Sequence, residues 1–278
     1  MNTTLFYFSG TGNTWRTTHL YAGCLQRQGW ETRVVAVEAA LREQKLPDTE
    51  VLGIGFPVHA FGPPQLVDRF LQTLPPGAGR PALVWAVAAG MVGGATAAVA
   101  GRLEAADYRV VHEQAYLVPE NWHWRWSDPP AAALAKERAW SRTGELVSRA
   151  AGELVAGQPR RTRPGPVRLR VLSGRIWRSH LAGGERAGRY LRVTRACTGC
   201  GLCARACPTS AMAGHPSGYR VGPGCTLCLR CVSICPVQAI TVPLMRQGWL
   251  HRHLEPGYRR FLLESTVPGQ AAAGPGTG

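Results

Sequence analysis

Eight cysteines between Cys197 and Cys235 fall into two copies of one spacing: Cys197-x2-Cys200-x2-Cys203-x3-Cys207-Pro208, then Cys225-x2-Cys228-x2-Cys231-x3-Cys235-Pro236. Whatever surrounds this run must fold so that four sulfurs at a time converge on one small volume. A [4Fe-4S] cube asks for that: three thiolates from a tight loop that wraps it and a fourth from farther along the chain. Zinc sites use CxxC pairs separated by a longer insert and close on four ligands without the three-plus-one pattern. The radical-type spacing CxxxCxxC is missing, because Gln238 stands where a third cysteine would follow Cys235. Disulfides suit an exported chain. Here the N-terminus starts at once on a strand-like run without the charged, apolar and cleavage regions of a leader, so a cytoplasmic chain is expected.

The run resembles the ligand run of bacterial-type two-cluster ferredoxins, in which each fourth cysteine serves the other cube. The resemblance assigns Cys197, Cys200, Cys203 and Cys235 to one [4Fe-4S] cluster, and Cys225, Cys228, Cys231 and Cys207 to a second. The duplication extends beyond the ligands. A shift of 28 residues lays Arg192-Val193 on Arg220-Val221 and Ala211-Met212 on Ala239-Ile240. Each half therefore reads as a short strand, a cluster loop, a turn of helix after the proline and another short strand. A domain this small buries too little apolar surface to fold alone, so cluster assembly and folding should be coupled.

At the other end, Ser9-Gly10-Thr11-Gly12-Asn13-Thr14 follows the apolar run Leu5-Phe6-Tyr7-Phe8. A strand that feeds a Gly- and hydroxyl-rich turn and then a helix can cradle a phosphate on exposed N–H groups. Ser9, Thr11 and Thr14 add hydroxyl donors, and Gly10 and Gly12 let the backbone close on an anion. The same turn can also be a helix cap and nothing more. A Walker A loop is excluded by the missing lysine, and a dinucleotide fingerprint by Thr14-Trp15. Further strands are predicted at Thr32–Val37, Glu50–Phe56, Ala82–Ala88 and Tyr108–Val118, with helices between them and a long closing helix at Pro129–Ala156. Such alternation predicts an α/β fold, a doubly wound parallel sheet in the order 2-1-3-4-5, followed by a small α+β domain. Ligands of these sheets sit at the carboxyl ends of the strands. The loops there are Pro57-Val58-His59-Ala60-Phe61-Gly62 and Ala89-Gly90-Met91-Val92-Gly93.

Together, Phe8–Thr14, Pro57–Pro63, Pro119–Trp122 and Cys197–Pro236 resemble the family that fuses a flavodoxin-like domain to a two-cluster ferredoxin. The resemblance implies FMN held by Ser9, Gly10, Thr11, Gly12, Asn13, Thr14, Pro57, Val58, His59, Ala60, Phe61, Gly62, Ala89, Gly90, Met91 and Gly93. It also implies electron transfer between flavin and clusters. The domains expected are 1–157, an Arg-rich linker at 158–189, the ferredoxin domain at 190–262 and a disordered tail at 263–278. Flavodoxins commonly sandwich the flavin between aromatic rings from the loops after strands three and four. Here Met91 is the largest side chain in the latter loop, which leaves Phe61, His59 and Trp122-His123-Trp124 as available stackers. Weaker flavin binding, or cover from the ferredoxin domain, would follow.

Charge is unevenly placed. Residues 1–157 hold 14 basic and 14 acidic side chains, whereas 158–278 hold 18 arginines against Glu185, Glu255 and Glu264, which is the whole +15. These arginines either compensate anionic clusters or form a docking face for acidic redox proteins. Without a recognition motif, charge alone does not argue for nucleic acid. In the Arg-rich segment Pro159–Arg195, a basic element lying on a membrane surface fits the composition. A linker packing Trp177 against one of the domains fits as well and is preferred. The 21 uncharged positions of Pro81–Gly101 are rich in Ala and Gly and read as buried core rather than a membrane span. Cys24 reads as a small buried hydrophobe, and His59 as either a flavin partner or a plain loop histidine.

No nicotinamide fingerprint is present, and no paired groups announce acid/base or nucleophilic catalysis. The expected function is an electron-transfer iron–sulfur flavoprotein shuttling between protein redox partners. The alternatives are an oxidoreductase that reduces a small molecule at FMN, with the clusters as its wire, and a redox-sensing regulator with a basic binding face.

Overall fold

The computed structural model describes residues 1–44, 46–119, 121, 133–162, 167–183, 188–215, 218–243, 245 and 254–265. The chain divides into two units: Met1–Ser9, Asn13–Pro119 and Pro130–Leu181 form the first, and Gly10–Gly12, Glu120–Pro129 and Ala182–Gly278 the second.

In the first unit, β1 (Asn2–Tyr7), β2 (Glu31–Ala36), β3 (Val51–Pro57), β4 (Pro81–Ala88) and β5 (Arg109–Leu117) form one sheet. Its order is β2-β1-β3-β4-β5 and all four pairings are parallel, as the sequence predicts. The helices α1 (Asn13–Arg27), α2 (Val37–Glu43), α3 (Gln65–Thr73), α4 (Ala95–Ala105) and α5 (Ala133–Val155) cover it. The predicted start of the closing helix, residues 129–132, lies outside the described residues. The strands β3 and β4 are apolar almost throughout because both of their faces are buried, and β1 buries Thr3 and Thr4 ahead of its apolar half Leu5–Tyr7. The uncharged stretch 81–101 is β4, its loop and most of α4, so it is core and connection. Among the described residues no helix is long and apolar enough to cross a membrane. Cys24 is buried in the core beside Leu25 and Tyr21.

Trp85 decides the local sequence of β3. Its buried indole lies so close that a Cβ on Gly53 would come within 3.1 Å of it, and one on Gly55 within 2.3 Å. Two glycines in a central strand normally weaken it; here they make room for the largest buried side chain. On its other side Trp85 meets Tyr21 at 4.9 Å between ring centroids, and the Tyr21 and Tyr116 hydroxyls hydrogen-bond at 2.5 Å, satisfying two polar groups inside the core.

The Arg-rich segment is more structured than a linker. Arg160 forms a parallel bridge to His112 on the free edge of β5, and its guanidinium pairs with Glu153. Arg161 reaches Glu104 at 2.5 Å and Glu113 at 3.3 Å. A helix, α6 (Val167–Gly183), follows. Trp177 on α6 donates its Nε1–H to Pro63 O at 2.9 Å, so the expected packing of this tryptophan is found, on the first unit.

The second unit contains β6 (Arg192–Val193), α7 (Leu202–Arg205), β7 (Met212–His215), β8 (Gly218–Val221), α8 (Arg230–Ile234), β9 (Ile240–Thr241) and α9 (Pro256–Ser265). Pairing is antiparallel, β6 with β9 and β7 with β8. The helical turn in each half precedes the proline instead of following it: α7 lies between Cys200 and Cys207, and α8 between Cys228 and Cys235. Proline lacks the N–H a continuing helix would need, so it marks the end of the turn. The duplication carries over three left-handed backbone positions. Gly199, Gly201 and Ser210 have φ of 71°, 76° and 55°, and their counterparts Leu227, Leu229 and Gln238 have 53°, 65° and 52°. Leucine pays sterically for that left-handed conformation, so the loop shape and not the residue's preference sets it. The helix α9 runs to Ser265, so residues 263–265 are not part of a disordered tail; Leu262 is buried and anchors the helix end. The rest of the tail lies outside the described residues.

Two outcomes follow. Gly55→Ala should destabilise the first unit by about 1–3 kcal/mol through overpacking against Trp85, read by chemical denaturation; an unchanged midpoint would contradict the packing. Burial pushes His19 from 6.5 down to about 4 and lowers His112 as well. Both histidines bind protons more readily unfolded than folded. Their contribution is therefore complete above pH 6.5 and declines below it, that of His19 being lost as pH falls through about 4. Thermal melts should show that decline, and His19→Gln should reduce its slope.

Candidate functional site

The eight cysteines sort into two cavities, each open to the surface. The first, ≈ 330 Å³, is lined by Cys197, Cys200, Cys203 and Cys235. The second, ≈ 320 Å³, is lined by Cys207, Cys225, Cys228 and Cys231. Each holds three cysteines of one loop and the fourth of the other. The crossing follows from the strand pairing: β6 with β9 brings the end of the second half onto the start of the first. Most of the remaining lining is apolar, including Leu202 and Ile240 in the first cavity and Leu191, Met212 and Leu229 in the second, with Thr198 in the first and Thr209 and Thr226 in the second.

Equivalent backbone donors serve the two crossing cysteines. Ala211 N–H reaches Cys207 Sγ at 3.2 Å, and Ala239 N–H reaches Cys235 Sγ at 3.2 Å. Burial, and then the neighbouring Cys197, Cys200 and Cys235, push the Cys203 thiol up to about 11. Burial also pushes Cys228 to about 11, with Cys207 and Cys225 adding to it and Arg230 opposing. Cys231 rises well above its ordinary range for the same reasons. Four thiolates cannot share such a cavity without positive charge at its centre, so filling it with metal must release protons. Among the described residues no three His, Cys, Asp or Glu side chains close on the position of one metal ion. The donor set fits a polynuclear centre with one sulfur per iron.

The N-terminal loop is built in two parts. Ser9 and Thr14 are buried, and α1 starts at Asn13 with no acid in its first turn. The Asn13 side chain donates to Pro119 O at 3.0 Å, tying the helix start to the end of β5. Gly10–Gly12 group with the second unit, where a Cβ on Gly10 would lie 2.2 Å from Cys228 O. Gly12 has φ of +103° and faces Glu255 and Tyr258, and it could not be replaced by a residue with a side chain. Asn121 Nδ2 donates to Thr11 O at 3.0 Å and to Thr11 Oγ1 at 3.2 Å. Hydroxyls, a helix N-terminus and a loop free of acids suit a phosphate.

The loop after β3 makes a tight turn: His59 N–H donates to Gly62 O at 2.9 Å and Gly62 N–H to His59 O at 3.0 Å. Its corner residues, Ala60 and Phe61, have φ of 47° and 68°, a conformation usually left to Gly, Asn or Asp. Tertiary packing holds it there. A Cβ on Gly62 would lie 2.3 Å from the Trp177 ring, and one on Gly93 2.7 Å from Phe61 Cβ. Val58 N–H donates to Val87 O at 3.0 Å, tying the start of the β3 loop to the end of strand β4. Ala89, Gly90 and Met91 are exposed, Met91 by 77%. Burial, and then the nearby His180, push His59 down to about 4, so it is neutral near pH 7. Strained backbone at this edge of the sheet is the kind found where a ligand is clamped.

Thus the structure brings Ser9, Asn13 and Thr14 to the same end of the sheet as Pro57–Gly62 and Ala89–Gly93. Trp122, His123 and Trp124, expected as possible stackers, lie outside the described residues. Sequence reasoning left three residues without a role: Asn121, Trp177's contact with the β3 loop, and Arg230. For Arg230 the signal was available, because the 28-residue shift pairs it with Leu202 and so exposes a difference between otherwise matched halves.

A sequence model of the 4Fe-4S dicluster domain matches residues 189–236. No protein of curated function matches the chain. Similar solved structures include a flavodoxin from the domain Archaea, 14% identical, covering 56% of this chain and 99% of that one at a TM-score of 0.41. Oxidised flavodoxin 1 from Bacillus cereus is 16% identical, covering 56% and 98%, at 0.40. Rubredoxin oxygen:oxidoreductase from Desulfovibrio gigas is 17% identical, covering 56% of this chain but 37% of that one, at 0.39. The assignment of the first unit rests on its own strand order. Joined in one chain are thus a parallel sheet in the flavodoxin-like order 2-1-3-4-5 and a segment, residues 189–236, that matches the 4Fe-4S dicluster domain.

Proposed function

We propose that the chain is a cytoplasmic iron–sulfur flavoprotein that transfers electrons between FMN and two [4Fe-4S] clusters and shuttles them between protein redox partners. The observation that carries the reading is the partition of eight cysteines into two crossed sets of four. FMN supplies two-electron chemistry and each cube one-electron chemistry, so together they convert one kind of traffic into the other. The chain's own residues bind and tune. The Ser9–Thr14 loop holds the phosphate on backbone N–H groups and hydroxyls. The β3 and β4 loops offer backbone amides to the ring, with the His59–Gly62 turn fixed by Trp177. Ala211 and Ala239 N–H groups stabilise negative charge on the crossing sulfurs, which raises a cluster's potential.

For partners, α6 offers a surface. Arg168, Arg175 and Arg178 are exposed beside Val171, Leu172 and Ile176, which are 54%, 55% and 39% exposed. Basic charge around apolar contacts suits an acidic redox protein. A second reading, reduction of a small molecule at FMN, is favoured by the open loop after β4, where Gly90 has nothing within 4 Å of an added Cβ.

Anaerobically purified protein should carry about eight irons and one FMN per chain. Cys207→Ser and Cys225→Ser, one from each half, should each leave about four irons, because both serve the second cavity. Zinc in place of iron would end the proposal, and iron without flavin would reduce the first unit to a scaffold. Trp177→Ala should weaken FMN about tenfold, or about 1.4 kcal/mol, by releasing the His59–Gly62 turn; equal affinity would remove Trp177 from the site. Reduced protein tested with quinones, nitro compounds and disulfides separates the two readings: reaction only with protein partners supports the carrier.

A further inference from the structure

The two cysteine halves match in spacing, in backbone hand and in their hydrogen bonds to the crossing sulfurs, but they differ at the residue that opens each helical turn. Leu202 opens α7 and lines the first cavity. Arg230 opens α8, and although arginine is almost never fully buried it is only 4% exposed. Its Nη1 donates to Ala206 O at 3.2 Å, on the residue just before Cys207. Its guanidinium lies 5.8 Å from the centre of the fully buried Tyr258 ring. Arg230 therefore bridges the two segments that bring sulfurs to the second cavity: its own loop, with Cys228 and Cys231, and the segment of the crossing Cys207. A guanidinium stays charged at every working pH, so Arg230 fixes a buried cation behind the second cavity. Beside the first cavity the Arg205 guanidinium lies near Gly201, but Arg205 is exposed and water screens its charge, and the residue that opens the turn there is a hydrocarbon, Leu202.

Resting on the two-cluster reading above, we infer that Arg230 is a positioning residue for electrons: it makes the centre held by Cys207, Cys225, Cys228 and Cys231 easier to reduce than the one held by Cys197, Cys200, Cys203 and Cys235. Adding an electron makes either centre more negative, and a buried cation stabilises that added charge at low effective dielectric. In the internal step one electron leaves the first site, which is oxidised by one, and enters the second, which is reduced by one; no bond forms or breaks and no proton moves. The bias makes the second site the resting place of a single electron. The hydrogen bond to Ala206 O and the Tyr258 ring keep the guanidinium from turning out to water, which would screen it.

The test is a potentiometric titration of the full-length protein followed by electron paramagnetic resonance, with iron counted on the same samples. The unmodified protein should show two separate one-electron waves. Arg230→Gln should lower the upper wave so that the ratio of reduced to oxidised centre at fixed potential falls about tenfold, equal to about 59 mV for one electron, and leave the lower wave in place. Arg230→Lys should retain most of the potential. Leu202→Arg, at a half-exposed position, should raise the lower wave and narrow the separation; it decides the matter should Arg230→Gln fail to assemble. Full iron content with both waves unmoved in Arg230→Gln, or an unchanged separation in Leu202→Arg, overturns the inference. An unmodified protein without about eight irons fails the two-cluster reading instead, whatever the variants do.

Discussion

Four sulfurs gathered in each cavity, two of them buried in each case, are the constraint on which the second unit depends. Burial and mutual repulsion hold thiols such as Cys203 and Cys228 in the protonated form. A short, loop-rich unit with two-residue and four-residue strands has little other core: its apolar cluster is largely the cysteines and the residues packed on them. Metal filling these cavities would supply the core that the unit otherwise lacks, and its binding free energy would then be folding free energy. The paired left-handed residues Leu227 and Leu229 show the same priority. Backbone conformation is spent on wrapping a centre, and the side chains accept the strain.

In the first unit the order of causes is reversed. The sheet is held by the buried side chains Leu5, Ile54, Phe56, Trp85 and their neighbours. A rigid scaffold of this kind can support strained loops at its edge, and Ala60–Phe61 is such a place. The helix α6 links two roles. Its inner side fixes the β3 turn through Trp177, and its outer side carries arginines and exposed aliphatic side chains.

Much of this was legible in the sequence, for physical reasons. Strands buried on both faces, such as β3 and β4, are near-continuous apolar runs; β2 to β5 could be read to within a residue, β1 begins three residues before the apolar run that marks it, and the strand order followed from alternation with helices. The cysteine spacing carries its own geometry, since three sulfurs within seven residues can only wrap one centre. What could not be read depended on tertiary contact. The glycines of β3 are explained by Trp85, thirty residues away. The helix α6 lacks strong apolar periodicity, so its fold and the partner of Trp177 were not separable from a linker. The placement of the helical turn before each proline was missed because proline was read as a helix start, where its missing N–H is tolerated, rather than as a stop.

The central claim is that the C-terminal unit holds two cubes with crossed ligation. Spin quantification of the fully reduced, anaerobic protein tests it most directly. Two cubes sharing one small unit should give two unpaired-electron centres per chain, with line broadening from their magnetic interaction. A single unbroadened centre per chain at full iron loading would contradict it.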